Sequence, residues 1–134
     1  MARRRHLSRI AVMQVLFELE KHSGADAAKA LGLNIQELGE VDIPFAQEVL
    51  EGVLGKRQEL QQEVQNRAPQ WPLDRMDPIS RCVLLVGAYE LLYRPKDAPP
   101  AVVMNEAIEV AKEYGSEEGA KFVNGVLNAI AHQK

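Results

Sequence analysis

The segment Asp77-Pro-Ile-Ser-Arg-Cys-Val-Leu-Leu-Val-Gly-Ala-Tyr-Glu-Leu-Leu92 constrains the fold more than any other part of the chain. Asp77 has the carboxylate that caps the free amides of a helix start, and Pro78 suits the first helical position because its φ is preset. From Ile79 to Leu92 the residues are almost continuously apolar, and Pro95, Pro99 and Pro100 close the element. A helix that is apolar on nearly every side has to be covered on nearly every side. The segment therefore predicts a central helix with other helices packed around it.

The flanking sequence supplies them. Leu7, Ile10, Ala11, Gln14 and Phe17 follow helical spacing, and Val12, Val15, Leu16 and Leu19 widen that stripe; His22 to Gly24 ends it. Asp26 to Leu31 suggests a short second helix that stops at Gly32 to Asn34. Pro44 to Ala68 places Phe45, Val49, Val53, Leu60 and Val64 near helical spacing, which predicts one long amphipathic helix kinked around Gly52 and Gly55. Pro69 and Pro72 then break the chain, with Trp71 between them as a packing anchor. A fifth helix carries Val103, Ala107, Val110, Ala111 and Tyr114 on one face. Gly115-Ser116 reads as a helix end followed at once by the N-cap of a last helix, Glu117 to Ala131. No strand pattern, internal repeat or low-complexity segment stands out, so the expected class is all-α.

At 134 residues and 46% hydrophobic the chain is long enough to bury about two thirds of its unfolded surface, and a single domain over 1–134 is expected. No apolar run approaches the roughly 20 residues of a membrane-spanning helix, and no small-residue cleavage site follows the first apolar segment. With one cysteine, Cys82, flanked by apolar residues, the expectation is a cytoplasmic protein whose thiol is a small buried hydrophobe.

Charge is distributed less evenly. Residues 2 to 9 hold four arginines and no carboxylate, whereas the remaining chain has 12 Lys or Arg against 19 Asp or Glu. Asymmetry of that kind points to a polyanion. Arg5 and Arg9 lie four residues apart on one helical face, and Arg3 and Arg4 extend from its start, so guanidinium groups on a rigid element would meet successive phosphates. Catalytic and metal chemistry find little support. His6, His22 and His132 are far apart with no ligand-spaced partners, Glu106, Glu109 and Glu113 read as a solvated helix face, and no phosphate-binding glycine loop appears. No enzyme activity, cofactor or metal is expected.

A second candidate contact is Lys121-Phe-Val-Asn-Gly-Val-Leu127. Val123, Val126, Leu127 and Ile130 form the buried stripe of the last helix, which leaves Phe122 on its flank beside Glu118 and Gly125. An aromatic ring beside a lysine is what single-stranded nucleic acid uses, the ring stacking a base and the cation holding the backbone. Gly125 in mid-helix costs about 1 kcal/mol relative to Ala and hints at a close approach to the backbone.

The Arg-Arg-Arg block, Ala88-Tyr-Glu-Leu91, Asn105-Glu-Ala-Ile-Glu-Val-Ala-Lys112 and Lys121-Phe-Val-Asn-Gly-Val-Leu127, in this order and at these separations, closely resemble the NusB family of bacterial transcription antitermination factors. The resemblance covers essentially the whole chain. It implies about seven helices in two small packed bundles and no catalysis. It also implies binding to the boxA element of ribosomal RNA leader transcripts together with NusE, a small ribosomal subunit protein, within an RNA polymerase complex that contains other Nus factors and resists termination. By position, Arg3, Arg4, Arg5 and Arg9 match the family's arginine-rich RNA-binding end, Lys121 and Phe122 its second RNA contact, and Glu118 an acidic residue that modulates the interaction. Phe17, Leu85 and Ile10 depart from the tyrosine, arginine and glutamate usual at those places.

Residues and resemblance together suggest that the basic end of the first helix and the flank of the last lie side by side as one RNA platform on an acidic body. Monomer and homodimer are both compatible with these residues, a dimer hiding the arginines until partners arrive. Two other readings are an RNA-binding appendage of a ribosomal RNA methyltransferase, for which this chain would be a fragment, and a helical adaptor with protein partners only.

Overall fold

The computed structural model describes residues 2–132. Among them it has seven α-helices, one turn of 3-10 helix at Leu73–Arg75 and no strand, as an all-α chain requires. The chain forms two compact units, residues 1–52 and 53–134.

The first unit begins with α1 (Ala2–Lys21) and α2 (Ala27–Leu38) and contains most of α3 (Ile43–Gly55). The arginine block is already helical, with no linker before α1. Ile10 to Met13, Val15 and Leu16 are buried in a run too wide for a narrow stripe. Asp26 caps α2 by accepting from the Lys29 amide at 3.1 Å. Contrary to expectation, α2 continues through Gly32 and Asn34. The Asn34 amide nitrogen donates to the Ala11 carbonyl at 3.3 Å, which holds that turn against α1. The glycine that ends the helix is Gly39, at φ 90°, the left-handed region in which glycine is favoured.

The predicted helix from Pro44 to Ala68 is two helices. The chain leaves helical geometry at Lys56 (φ −115°, ψ 17°), just after Gly55, and α4 (Arg57–Arg67) starts afresh with the Leu60 amide donating to the Lys56 carbonyl at 2.9 Å. Apolar spacing looked continuous because both Val53 and Leu60 are fully buried.

In the second unit α5 (Pro78–Tyr93) packs against α4, α6 (Pro100–Tyr114) and α7 (Glu117–Ala131). Every residue from Cys82 to Ala88 is buried, as a central helix requires. The Asp77 carboxylate accepts from the Ser80 amide at 3.4 Å and its hydroxyl at 3.0 Å. Ser116 accepts from the Gly119 amide at 2.9 Å and caps α7 directly after Gly115. A Cβ on Gly119 would lie 2.8 Å from the Ser80 hydroxyl, so glycine is what brings the α7 start onto the α5 start. Val103, Ala107, Val110 and Ala111 are buried on α6, but Tyr114 at the end of that face is exposed.

Candidate nucleic-acid interface

The four arginines of α1 occupy different environments. Arg3 is exposed and, among the described residues, has no ion pair. Arg4 is exposed and lies 3.8 Å from Glu40, an exposed pair of little energetic weight. Arg5 is half-buried, 3.5 Å from Asp42, with its guanidinium 4.4 Å over the Phe45 ring. Arg9 is only 6% exposed and stacks over the same ring at 5.2 Å. The expected shared face exists, but its far end is covered, because Phe45 draws both guanidinium groups onto it. Ser8 braces this end: its buried hydroxyl donates to the Arg4 carbonyl at 2.8 Å and accepts from the Asp42 amide at 3.0 Å. Asp42 in turn caps α3 through the Phe45 amide at 3.1 Å.

On α7, Val123, Val126, Leu127 and Ile130 are buried, and Phe122 stands half-exposed on the flank. Lys121 and Glu118 are exposed, and neither has an ion pair or hydrogen bond among the described residues. Lys121 lines a groove of about 180 Å³ between α6 and α7 with Lys112, Glu117 and Asn124. Gly125 faces open space: an added Cβ would meet nothing within 4 Å among the described residues, so the close approach that its presence hinted at is not made within this chain.

Trp71, expected as a packing anchor, does pack, but at the surface. It is 56% exposed, and its ring meets the edge of Phe122 at 6.2 Å and 74°. The only sign of this in the sequence is that the ring lies between two prolines in a helix-free stretch; nothing in the pattern ties it to α7.

Leu85 and Ile10 are each 1% exposed, which accounts for apolar side chains where the family pattern has charged ones. Phe17 is half-buried under the Lys21 ammonium, 4.6 Å from its ring. No helix among the described residues is long and apolar enough to cross a membrane.

Helices throughout, unpaired cations at exposed helix positions and an aromatic flank beside one of them define a small all-helical protein built to meet a partner on its surface. The NusB family model matches residues 6–132. Transcription antitermination protein NusB of Desulfitobacterium hafniense is 40% identical over 129 residues, 94% of this chain and 86% of the relative. The protein of the same name from Myxococcus xanthus is 39% identical over 132 residues, covering 95% and 94%. T. maritima NusB superposes with a TM-score of 0.86 at 33% identity, over 96% of this chain and 91% of that one. The fold also matches, at TM-score 0.85 and 24% identity over 98% of both chains, a crystal structure of antitermination factors NusB and NusE with double-stranded RNA. The chain belongs to the NusB family.

Proposed function

We propose that this protein is a transcription antitermination factor that binds the boxA element of ribosomal RNA leader transcripts jointly with NusE, and so helps RNA polymerase resist termination in the cytoplasm. Its role is binding, without catalysis. The observation that carries this reading is the exposed Lys121 ammonium, free of ion pairs among the described residues, next to the half-exposed Phe122 ring on a chain of net charge −3. An acidic body repels RNA generally, so binding concentrates where cations are uncompensated. Arg3 and Arg4 supply a second such place, with Arg5 reaching it by releasing Asp42, and Arg9 holds Phe45 beneath them. Two lines support the partners: the curated relatives bear the name of antitermination proteins, and the same fold occurs in a complex with NusE and RNA.

The test is fluorescence anisotropy of labelled boxA RNA against a scrambled RNA of equal length, with and without NusE. Saturable binding that favours boxA and tightens with NusE is expected. Equal affinity for both RNAs in the presence of NusE refutes boxA reading, and NusE binding with no RNA binding would make the chain a protein-only adaptor.

A further inference from the structure

Trp71 projects from a loop that is held unusually firmly for an exposed segment. The Gln65 side chain donates to the carbonyls of Ala68 at 3.0 Å and Trp71 at 2.7 Å, and accepts from the Leu73 amide at 2.9 Å. Arg81 donates from one nitrogen to the carbonyls of Leu73 at 2.7 Å and Met76 at 2.8 Å. Pro72 adds a fixed extended φ of −57°. The backbone is thus pinned on both sides of a large ring that nevertheless stays in solvent, a preorganised presentation that lowers the entropic cost of binding.

The ring forms one wall of a groove of about 290 Å³, with Phe122 as another and Arg75, Glu118, Asp77 and Ser80 completing it. We propose that this groove takes one unpaired base of single-stranded RNA on the exposed Trp71 ring beside Phe122, with Arg75 neutralising the adjoining phosphate. The proposal deepens the RNA-binding reading above and rests on it.

Geometry and charge both favour a base. Two rings at 74° let a planar ligand stack on one face while meeting the other ring edge-on, and both arrangements are favourable for aromatic pairs. The groove is lined by two carboxylates, Asp77 and Glu118, against one cation, Arg75, a balance that disfavours a phosphate within it. Asp77 is committed to Ser80, whereas Glu118 is uncommitted and would accept from the exocyclic amino group of a base. The exposed Arg75 guanidinium has no ion pair among the described residues, so a strand leaving the base pocket on that side meets a cation.

Trp71 is the only tryptophan, so its emission reports on the groove directly. Titration with fluorescein-labelled single-stranded boxA RNA should quench that emission with the same midpoint as the RNA anisotropy. Trp71→Ala should weaken binding by roughly 5- to 150-fold, the loss expected for one base–aromatic stack, at an unchanged salt slope. Trp71→Phe, which preserves a ring for stacking and guards against a folding defect, should stay within about fivefold of wild type. Arg75→Gln should lower the salt slope by about 0.7. Unquenched emission at RNA saturation, or wild-type RNA affinity in Trp71→Ala while Phe122→Ala is impaired, overturns the base site and leaves the RNA-binding reading standing. Normal RNA affinity in Trp71→Ala with lost NusE binding also overturns it, assigning the groove to protein. Absence of RNA binding by the wild-type chain removes the reading on which the site depends.

Discussion

Replacing Arg3, Arg4 and Arg5 together with alanine tests how the charged end of α1 operates. Arg3 is unpaired among the described residues, Arg4 pairs at 3.8 Å with a carboxylate that is 84% exposed, and Arg5 lies 3.5 Å from Asp42. Exchanging the exposed Arg4 pair for a phosphate costs little, about 0 to 1 kcal/mol. The half-buried Arg5 must also leave Asp42 and the Phe45 ring, so all three groups can reach RNA but Arg5 does so at the largest cost. Each phosphate neutralised on a single strand contributes about −0.7 to the slope of log affinity against log salt, giving roughly −2 for three. Between 50 and 200 mM salt that share amounts to roughly 20-fold in affinity. The triple variant should therefore show a slope shallower by about 2, measured by RNA anisotropy at several salt concentrations. Arg9 is the internal control. Because it is 6% exposed and stacked on Phe45, Arg9→Met should change the slope by less than about 0.5 and instead lower stability by about 1 to 3 kcal/mol in urea unfolding. A triple variant with the wild-type slope, or an Arg9 variant that loses as much slope as Arg3→Ala, refutes the assignment of exposed arginines to phosphates and the buried one to support.

Gly87→Ala brings a Cβ to 2.8 and 3.1 Å from the methyls of Leu127, which is fully buried and cannot swing aside; a loss of about 1 to 3 kcal/mol is expected from thermal unfolding. Gly125→Ala meets nothing within 4 Å and should gain about 0.5 to 1 kcal/mol, and reduced RNA or NusE affinity in this more stable variant would show that a partner uses the space. Glu118→Gln keeps an acceptor in the groove while removing a charge that opposes phosphate, so RNA affinity at low salt should rise up to about fivefold and the gain should shrink with salt; weaker binding would contradict this. The Tyr93 hydroxyl donates to Glu59 at 2.7 Å, and that bond, with burial and the Glu59 and Glu63 charges behind it, raises the phenol's pKa above its usual value. A group with a raised folded pKa contributes fully below its unfolded pKa, so the stability gap between wild type and Tyr93→Phe should be present below about pH 10 and close as pH rises through the folded value.

Much of the fold was readable because it depends on short-range chemistry. Asp77 and Pro78, or Gly115 and Ser116, act on amides within four residues, and such caps declare themselves in any context. The two helix boundaries that sequence reasoning missed depend on something further away or more subtle. α2 passes through Gly32 because Asn34 reaches the Ala11 carbonyl, 23 residues back. The break at Lys56 interrupts an apolar spacing that still reads as continuous, since the buried residues on either side are seven apart, close to two full turns.

The functional surface divides along the same line. Lys121 and Phe122 were legible because a helical projection separates flank from stripe once the stripe is certain, as it is for Val123, Val126, Leu127 and Ile130. The arginines were legible as a cluster but not as individuals: they differ in burial and in the carboxylate or ring beside them, and Asp42 and Phe45, which take up Arg5 and Arg9, are brought there by a different part of the chain. The exposure of Trp71 was illegible for a more general reason. Hydrophobicity states what burial would contribute to stability and says nothing of whether the fold offers a place to bury it. An aromatic in a proline-bounded loop has no periodicity from which to infer a facing direction, so its outward position emerges only from the bonds that Gln65 and Arg81 make to the backbone around it. Gln65→Ala separates these contributions. It leaves every proposed RNA-contacting group in place, yet it should weaken RNA binding and lower the steady-state anisotropy of Trp71 emission, because a ring on a loosened loop must be ordered at the moment of binding. If RNA affinity and Trp71 anisotropy both survive that substitution, the loop's rigidity serves the fold alone.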